Sequence, residues 1–362
     1  MYYRTFGMTD LSVSILGFGT MRLPFAGIYP DFTQAILLIQ HAIKHGINFF
    51  DVGTFYCHHH CEKAFGMAIR EILPEKIIIS GKNSTHQTED SNWLQQLKNS
   101  LYLFNRNYFD IYFIHYLTFD QWQSYFLKRG VIHQIKEAIE NGLIRHIGFS
   151  SHDKPDNVKK LIDTNFFKAV ILPFNLLQRE YEETMEYAHN LKLGVAVMNP
   201  LAGGALVDCG LHFKNINNSN IAEIALNYVL SKPYVDSALS GMESYDNMNK
   251  NIQTVNQKRL LPDEIINLES SFLKEQMKSW ISCTSCEYCM PCTQGINIPQ
   301  IIQIWNRFSV LNKEKIFSRE FYALSVTSER CIGCNNCTSK CPQQINVPKI
   351  MEQASRRFNF IR

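Results

Sequence analysis

These 362 residues contain no apolar run of the roughly 18 that a membrane-spanning helix needs. The opening MYYRTFGMTDLSVSILGFG lacks a basic start followed by an apolar core, so no secretory leader is expected and a cytoplasmic protein is the default. Charge of one sign is also missing. Lys and Arg number 36 against 33 Asp and Glu, a net charge of +3, without the basic surplus of a nucleic-acid binder. No G-x-G-x-x-G follows the first apolar run, which speaks against a doubly wound dinucleotide-binding sheet. No flavin fingerprint is legible either. Cysteine is scarce through the first 282 residues, where only Cys57, Cys61 and Cys209 occur.

What is there begins with apolar content, 45% of the chain and ample for a core. Apolar runs recur at Leu16–Phe18, Ile47–Phe50, Lys76–Ser80, Phe109–Ile114, Ile144–Phe149, Ala169–Leu172, Gly194–Val197 and Val235–Leu239. Several are continuous in Ile, Val and Phe, as parallel strands buried on both faces are. Helical patterns lie between them, among them DFTQAILLIQHAIKHG, RGVIHQIKEAIENG and NIAEIALNYVLSK. Eight strand–helix units in about 250 residues predict an α/β fold, a (β/α)8 TIM barrel. A doubly wound open sheet is the alternative. The opening residues predict a short hairpin ahead of the barrel, turning near Gly7–Asp10.

Chemistry in such a barrel sits at the carboxyl ends of the strands. Asp51 ends the second predicted strand, Lys82 lies just past the third and His115 ends the fourth. Ser150, Ser151 and His152 end the fifth. Asn175, Asn199 and Gly241 follow the sixth, seventh and eighth. An acid, an ammonium and an imidazole at three consecutive strand ends converge on one pocket, although strand ends are often polar in any barrel.

The stretches FFDVGTFY through Glu62, IIISGK, DIYFIH, IRHIGFSS and GMESYDNMNKN, in this order, resemble the aldo/keto reductase family over roughly residues 1–260. The resemblance implies a barrel using NADP(H) or NAD(H) without flavin. It implies a catalytic set of Asp51, Tyr56, Lys82 and His115, with Glu62 at its expected place. The implied nucleotide contacts are Gly19, Thr20, Met21, Asp51, Ser150, Ser151, Asn175, Met198, Leu201, Gly241 and Asn251. There are departures. Ile171 stands where the family often has Gln, and Met198 where an aromatic often stacks. The Lys and Arg that often grip a 2′-phosphate are absent near Gly241 and Asn247, so NADP against NAD stays open, with Lys250 and Lys258 as substitutes.

The remaining eight cysteines fall between Cys283 and Cys341 and mark a domain boundary near residue 270. The expected domains are therefore a barrel over 1–270 and a small C-terminal domain over 271–362. Cys283, Cys286, Cys289 and Cys292 form one run; Cys331, Cys334, Cys337 and Cys341 form a second. The second run is C-x2-C-x2-C-x3-C-P, the bacterial ferredoxin spacing for a [4Fe–4S] cluster. Zinc ribbons also use C-x2-C pairs, but three evenly spaced cysteines with a distant fourth suit a cubane better. CTQGINIPQII from Cys292 repeats as CPQQINVPKIM from Cys341, so two half-domains with approximate two-fold symmetry are expected. Two-cluster ferredoxins exchange their fourth cysteines. Carried over, one cluster takes Cys283, Cys286, Cys289 and Cys341, the other Cys331, Cys334, Cys337 and Cys292. The intervening IPQIIQIWNRFSVLNKEKIFSREF reads as helical. The tail resembles that of an aldo/keto reductase branch with a ferredoxin-like, α-helical and loop iron–sulfur domain.

The expected function is an NAD(P)H-dependent oxidoreductase acting on a small carbonyl or alcohol. Two [4Fe–4S] clusters would transfer electrons, a partner protein would exchange them, and neither nucleic acid nor membrane would take part. The alternative is a non-catalytic, redox-sensing barrel whose clusters are structural. A metal at Cys57-His58-His59-His60-Cys61 is a lesser expectation, because three adjacent histidines cannot all face one ion; lining the active-site mouth is the other role open to them.

Overall fold

A computed structural model of the chain describes residues 1–26, 29–83, 92–204, 206, 220–273, 280–311 and 314–358; Cys209 lies outside them. The chain forms two compact units. One comprises Met1–Phe174, Arg179–Pro200 and Leu226–Leu260, the other Asn175–Gln178, Leu201–Ala225 and Leu261–Arg362.

The first unit is built on a closed parallel barrel. Its strands are β1 (Leu16–Gly19), β2 (Phe49–Asp51), β3 (Ile78–Asn83), β4 (Phe109–Ile114), β5 (Ile144–Ser150), β6 (Ala169–Pro173), β7 (Gly194–Met198) and β8 (Ser237–Ser240). They pair in chain order, and β8 pairs with β1, which rules out the open sheet. Every residue of β3, β4 and β6 is buried, the physical reason for their unbroken apolar runs. Each strand is followed by a helix: α1 (Phe32–Lys44), α2 (Cys61–Ala68), α3 (Trp93–Phe104), α4 (Val131–Glu140), α5 (Pro155–Ile162), α6 (Glu182–Asn190), α7 (Ile221–Leu230) and α8 (Tyr245–Val255). In α1, Asp31 caps the first turn by accepting from Gln34 N, and Ala35, Leu38, Ile39 and Ala42 form the buried stripe.

Three strands begin later than the sequence expectation. β3 begins at Ile78 rather than Lys76, because Pro74 starts a 3-10 turn that takes Lys76 with it. It then runs on to Asn83, so Lys82 stands on the strand, not past it. β2 begins at Phe49 because Asn48 is engaged elsewhere, accepting from Ser14 N (2.7 Å) and donating to Ser12 O (2.8 Å). β8 begins at Ser237, since Val235 N closes a turn on Lys232 O.

The expected hairpin forms from Tyr3–Thr5 paired antiparallel with Ser12–Ser14. At its turn Gly7 has φ +59°, and a Cβ there would stand 2.2 Å from Gly194 N, so only glycine fits. Met8 N donates to Lys192 O at 2.8 Å. Phe6, Leu11 and Val13 then pack with Phe49, Ile78, Phe113 and Ile171 and floor the amino-terminal end of the barrel. Ile171 therefore belongs to the apolar interior.

The second unit contains α9 (Pro262–Leu273), α10 (Ile298–Leu311), α11 (Glu314–Tyr322) and α12 (Val347–Phe358). The stretch read as helical between the cysteine runs is thus two helices. Ile301, Ile302, Phe308, Phe317, Phe321 and Phe358 form its core, with Cys283, Cys289, Cys292, Cys331 and Cys337 packed against it. Among the described residues, no helix is long and apolar enough to cross a membrane.

Candidate active site and cysteine centre

Adjacent strands β2 and β3 bring an acid and an ammonium together. Asp51 pairs with Ser80 in register, and Lys82, two residues on, shares the face of Ser80. Lys82 Nζ lies 3.0 Å from Asp51 Oδ2, with both side chains at or below 5% exposure. Ser80 Oγ donates to the other carboxylate oxygen at 3.0 Å. Tyr56 comes from the 3-10 turn between β2 and α2. Its hydroxyl accepts from Lys82 Nζ at 2.9 Å and donates to Asp51 Oδ2 at 3.2 Å. His115 follows β4; its ring stands edge-on to Tyr56 with centroids 5.8 Å apart and is stacked on Tyr116 at 3.9 Å. All four groups are buried. Burial, then the charge of Lys82, pushes His152 down to about 3, so a neutral imidazole stands beside the group at working pH.

The histidine loop does not converge on an ion. His58 packs on Phe25, His59 on Phe55 and His60 on Tyr29, with centroids 5.9, 5.0 and 5.1 Å apart. Each ring is drawn to a different aromatic. Among the described residues, no group of three or more His, Cys, Asp or Glu side chains is arranged to hold a single metal ion.

Glu62, in the first turn of α2, is buried, and burial pushes its carboxyl up to about 7. The folded chain holds this proton to about 7, whereas the unfolded chain releases it near the ordinary 4.5. Stability is therefore lost as pH rises from the lower value to the higher, and is level above it, a loss of up to about 3 kcal/mol. Glu62→Gln is expected to stabilise the protein by that amount at pH ~8 and not at pH ~4. Denaturant melts at the two pH values check this; equal gains at both would show that the carboxyl is not protonated in the fold.

The expected nucleotide contacts are placed unevenly. Thr20, in the turn after β1, donates to Asp51 O at 2.8 Å, and Met21 and Gly19 flank it. Ser150 Oγ accepts from Tyr116 N at 3.2 Å. Ser151 Oγ donates to Leu117 O at 2.7 Å and accepts from Asp153 N at 3.1 Å, so its own proton is committed within the loop. Asn175 Oδ1 caps its own turn by accepting from Leu177 N and Gln178 N. Asn251 Nδ2 donates to Ser240 Oγ at 3.1 Å. Met198 ends β7 and is half-buried; Leu201, also half-buried, belongs to the second unit. Lys250 is an exposed partner of Asp246 at 2.6 Å. Sequence reasoning missed Arg22. Because β8 closes on β1, the Arg22 stem lies over Gly241, with Cδ 3.0 Å from where a Cβ of residue 241 would stand. Only a long-range pairing brings these residues together, and no local pattern signals it.

In the second unit, Cys283, Cys286, Cys289 and Cys341 line one cavity with Ile298, Ile302 and Val347. Burial pushes Cys283 and Cys289 up to about 12, and both also feel the charges of Cys286 and Cys341. A buried thiolate set of this kind needs positive charge at its centre. A cubane holds its four thiolates on four separate irons, further apart than the ligands of one ion. The two cysteine runs also share backbone shape. Ser285 and Glu287 have φ 52° and 64°, and the matching Gly333 and Asn335 have φ 68° and 60°. Past the fourth cysteines, Gly295 and Gln344 match at 73° and 52°. Such turns aim backbone N–H groups inward at an anionic group; Ser285 N donates to Cys283 Sγ at 3.4 Å. Residues, cavity and loops fit an iron–sulfur cluster.

The aldo/keto reductase family model matches residues 15–271, and a 4Fe-4S dicluster domain model matches residues 282–346. The uncharacterized oxidoreductase YqkF of Bacillus subtilis is 24% identical over 305 residues, 75% of this chain and 96% of YqkF. The holo form of aldo-keto reductase AKR11C1 from Bacillus halodurans is 25% identical, with TM-score 0.65 over 77% of this chain and 99% of that one. The thermostable aldo-keto reductase Tm1743, 23% identical with TM-score 0.61 over 75% of this chain and 99% of its own, shares the fold.

Proposed function

This chain belongs to the aldo/keto reductase family, and from that premise we propose that it reduces a small carbonyl compound, or oxidises the matching alcohol, with NADP(H) or NAD(H). We assign the nucleotide to the barrel, residues 1–270, and two [4Fe–4S] clusters for electron transfer to residues 271–362. One observation carries the catalytic half: the Tyr56 hydroxyl lies 2.9 Å from the Lys82 ammonium. A tyrosine with its ordinary pKa of about 10 is a poor acid–base group at neutral pH. An adjacent ammonium stabilises its phenolate and makes it a usable proton donor. Asp51 holds Lys82 in position, and Ser80 holds Asp51. His115 orients the substrate oxygen toward Tyr56. The nicotinamide, when bound, supplies the hydride. The barrel's residues supply only position and a proton.

Arg22 stands at the junction of β8 and β1, and barrels often bind phosphate beside their last strands. Its stem takes the space of the long cationic side chain missing at Gly241, and we assign its guanidinium to the dinucleotide pyrophosphate. Both NADPH and NADH share that group, so Arg22→Met should weaken both by about tenfold, as loss of one charge-assisted hydrogen bond does.

In the second unit we propose Cys283, Cys286, Cys289 and Cys341 as one ligand set and Cys331, Cys334, Cys337 and Cys292 as the other. The shared cavity of the first set supports this exchange of fourth cysteines. A hydride carries two electrons and a cluster accepts one, so the clusters serve the barrel only where a substrate radical or a partner protein divides the pair. Anaerobic titration tests the whole reading. NAD(P)H should be consumed only with a carbonyl compound present, and the brown colour of the clusters should bleach when electrons reach them. Cluster-loaded protein that oxidises NAD(P)H with no carbonyl compound would overturn the catalytic half. Colour that never bleaches during turnover would overturn electron transfer between the units.

A further inference from the structure

We propose that Cys57 and Cys61 are a redox-active dithiol that closes into an intramolecular disulfide, and that closure switches the neighbouring acid–base site off. The effect on turnover rests on the function proposed above; the formation of the disulfide does not. Cys57 lies in the 3-10 turn directly after Tyr56, and Cys61 is the first residue of α2. His60 N donates to Cys57 O at 3.1 Å, so the chain doubles back between the two cysteines. Both sulfurs reach the same backbone oxygen, Thr20 O, at 3.5 and 3.6 Å, so both face one point of the chain. Two sulfurs that share one acceptor lie on the same side of the turn.

The pair is chemically unequal, as an attacking and a resolving thiol must be. The hydrogen bond from Cys61 draws the Cys57 thiol below its ordinary range, while burial pushes Cys61 well above it. Cys57 is the more acidic thiol and Cys61 the more firmly protonated partner. The histidines between them are each engaged with an aromatic ring, and among the described residues no group of three or more His, Cys, Asp or Glu is arranged to hold a metal ion here. The turn also holds strain. Cys57, His58 and His59 have φ of 50°, 52° and 69°, a left-handed run of three residues that favour it poorly.

With hydrogen peroxide as oxidant, the Cys57 thiolate attacks one peroxide oxygen. The O–O bond breaks, hydroxide leaves and takes up a proton, and Cys57 becomes a sulfenic acid. Cys61 sulfur then attacks Cys57 sulfur, the S–O bond breaks and the S–S bond forms. Water leaves with the Cys61 proton. Two thiols are oxidised by two electrons, and one peroxide becomes two waters. The new bond draws Cys57 toward Cys61 and pulls the adjoining Tyr56 hydroxyl away from Lys82. It also pulls on Thr20, whose hydroxyl contacts Cys61 sulfur at 2.9 Å and Asp51 O at 2.8 Å.

The test treats anaerobically purified, cluster-loaded protein with equimolar hydrogen peroxide, followed by differential alkylation and peptide mass mapping. Cluster absorbance is followed in parallel. The expected result is a cross-linked Cys57–Cys61 peptide and carbonyl reduction lowered by about 10²-fold, the usual cost of misplacing a reacting group by about 1 Å. Dithiothreitol, which does not rebuild a damaged cluster, should restore activity. Cys57→Ser and Cys61→Ser should keep basal activity and resist the oxidant. Dinucleotide affinity reads the displacement of Thr20 and Met21 without turnover. Full alkylation of both cysteines after peroxide would overturn the proposal, whatever the single variants do. A disulfide that leaves both affinity and turnover unchanged would overturn the switch. Reduced protein inactive toward every carbonyl compound would instead count against the catalytic reading and leave the mapped disulfide standing.

Discussion

Tyr56→Phe should lower carbonyl reduction by about 10³-fold, the middle of the range for a general acid, and leave dinucleotide affinity where it was. The substitution removes one oxygen. That oxygen accepts from Lys82 and donates to Asp51, so its proton lies between the two charges. Ring packing against His115 survives in phenylalanine, so the loss falls on the proton and not on the fold. The Lys82–Asp51 contact at 3.0 Å also survives, because it does not run through the hydroxyl. Lys82→Met should give a similar loss by a different route: the hydroxyl remains but its phenolate loses the adjacent ammonium, so alcohol oxidation, which needs the phenolate as base, recovers as pH rises while carbonyl reduction does not. Single-turnover kinetics across pH separates the two. Tyr56→Phe turning over at the rate of the unaltered protein would remove the catalytic role from this network altogether.

The second large effect belongs to Cys341. It stands in the second cysteine run but lines the cavity of the first, with Cys283, Cys286 and Cys289. Cys341→Ala should therefore lose the cluster of the first run and keep that of its own, with iron content falling by about half. Cys283→Ala should give the same spectrum as Cys341→Ala, and Cys292→Ala the opposite one. If each fourth cysteine served its own run, Cys341→Ala would match Cys331→Ala instead. Because cysteines of both runs pack against the core of α10, α11 and α12, cluster loss should also lower the melting temperature of this unit, as removal of a structural metal does. Iron analysis, electron paramagnetic resonance and thermal melts on the same samples decide among these outcomes.

Much of the barrel was legible in the sequence, because strands buried on both faces must be apolar throughout. Phe109–Ile114 is bounded as the apolar run suggests. The boundaries that moved did so for contacts several strands away or for turn chemistry. Asn48 is claimed by the hairpin, and Lys76 is drawn into a turn by Pro74. At the site, the strand ends pointed to Asp51, Lys82 and His115 and the family resemblance to Tyr56, and the fold brings these side chains together. It could not reveal that Ser151 spends its proton on Leu117 O, since that bond links two loops 34 residues apart. Nor could it reveal Arg22 over Gly241, which exists only because the last strand meets the first. For the histidine loop, a shared metal was the lesser expectation because three adjacent imidazoles cannot all face one ion, and in the fold Phe25, Phe55 and Tyr29 each engage one of them.

The hairpin under the barrel sets the order of events above it. Phe6, Leu11 and Val13 pack across the amino-terminal end, so a molecule bound among the strand ends leaves by the opposite door, at the carboxyl ends of the strands. Two ligands sharing one door queue. On the proposed function, the one seated deeper arrives first and departs last, and departure of the dinucleotide, rather than bond making, is the step expected to limit turnover.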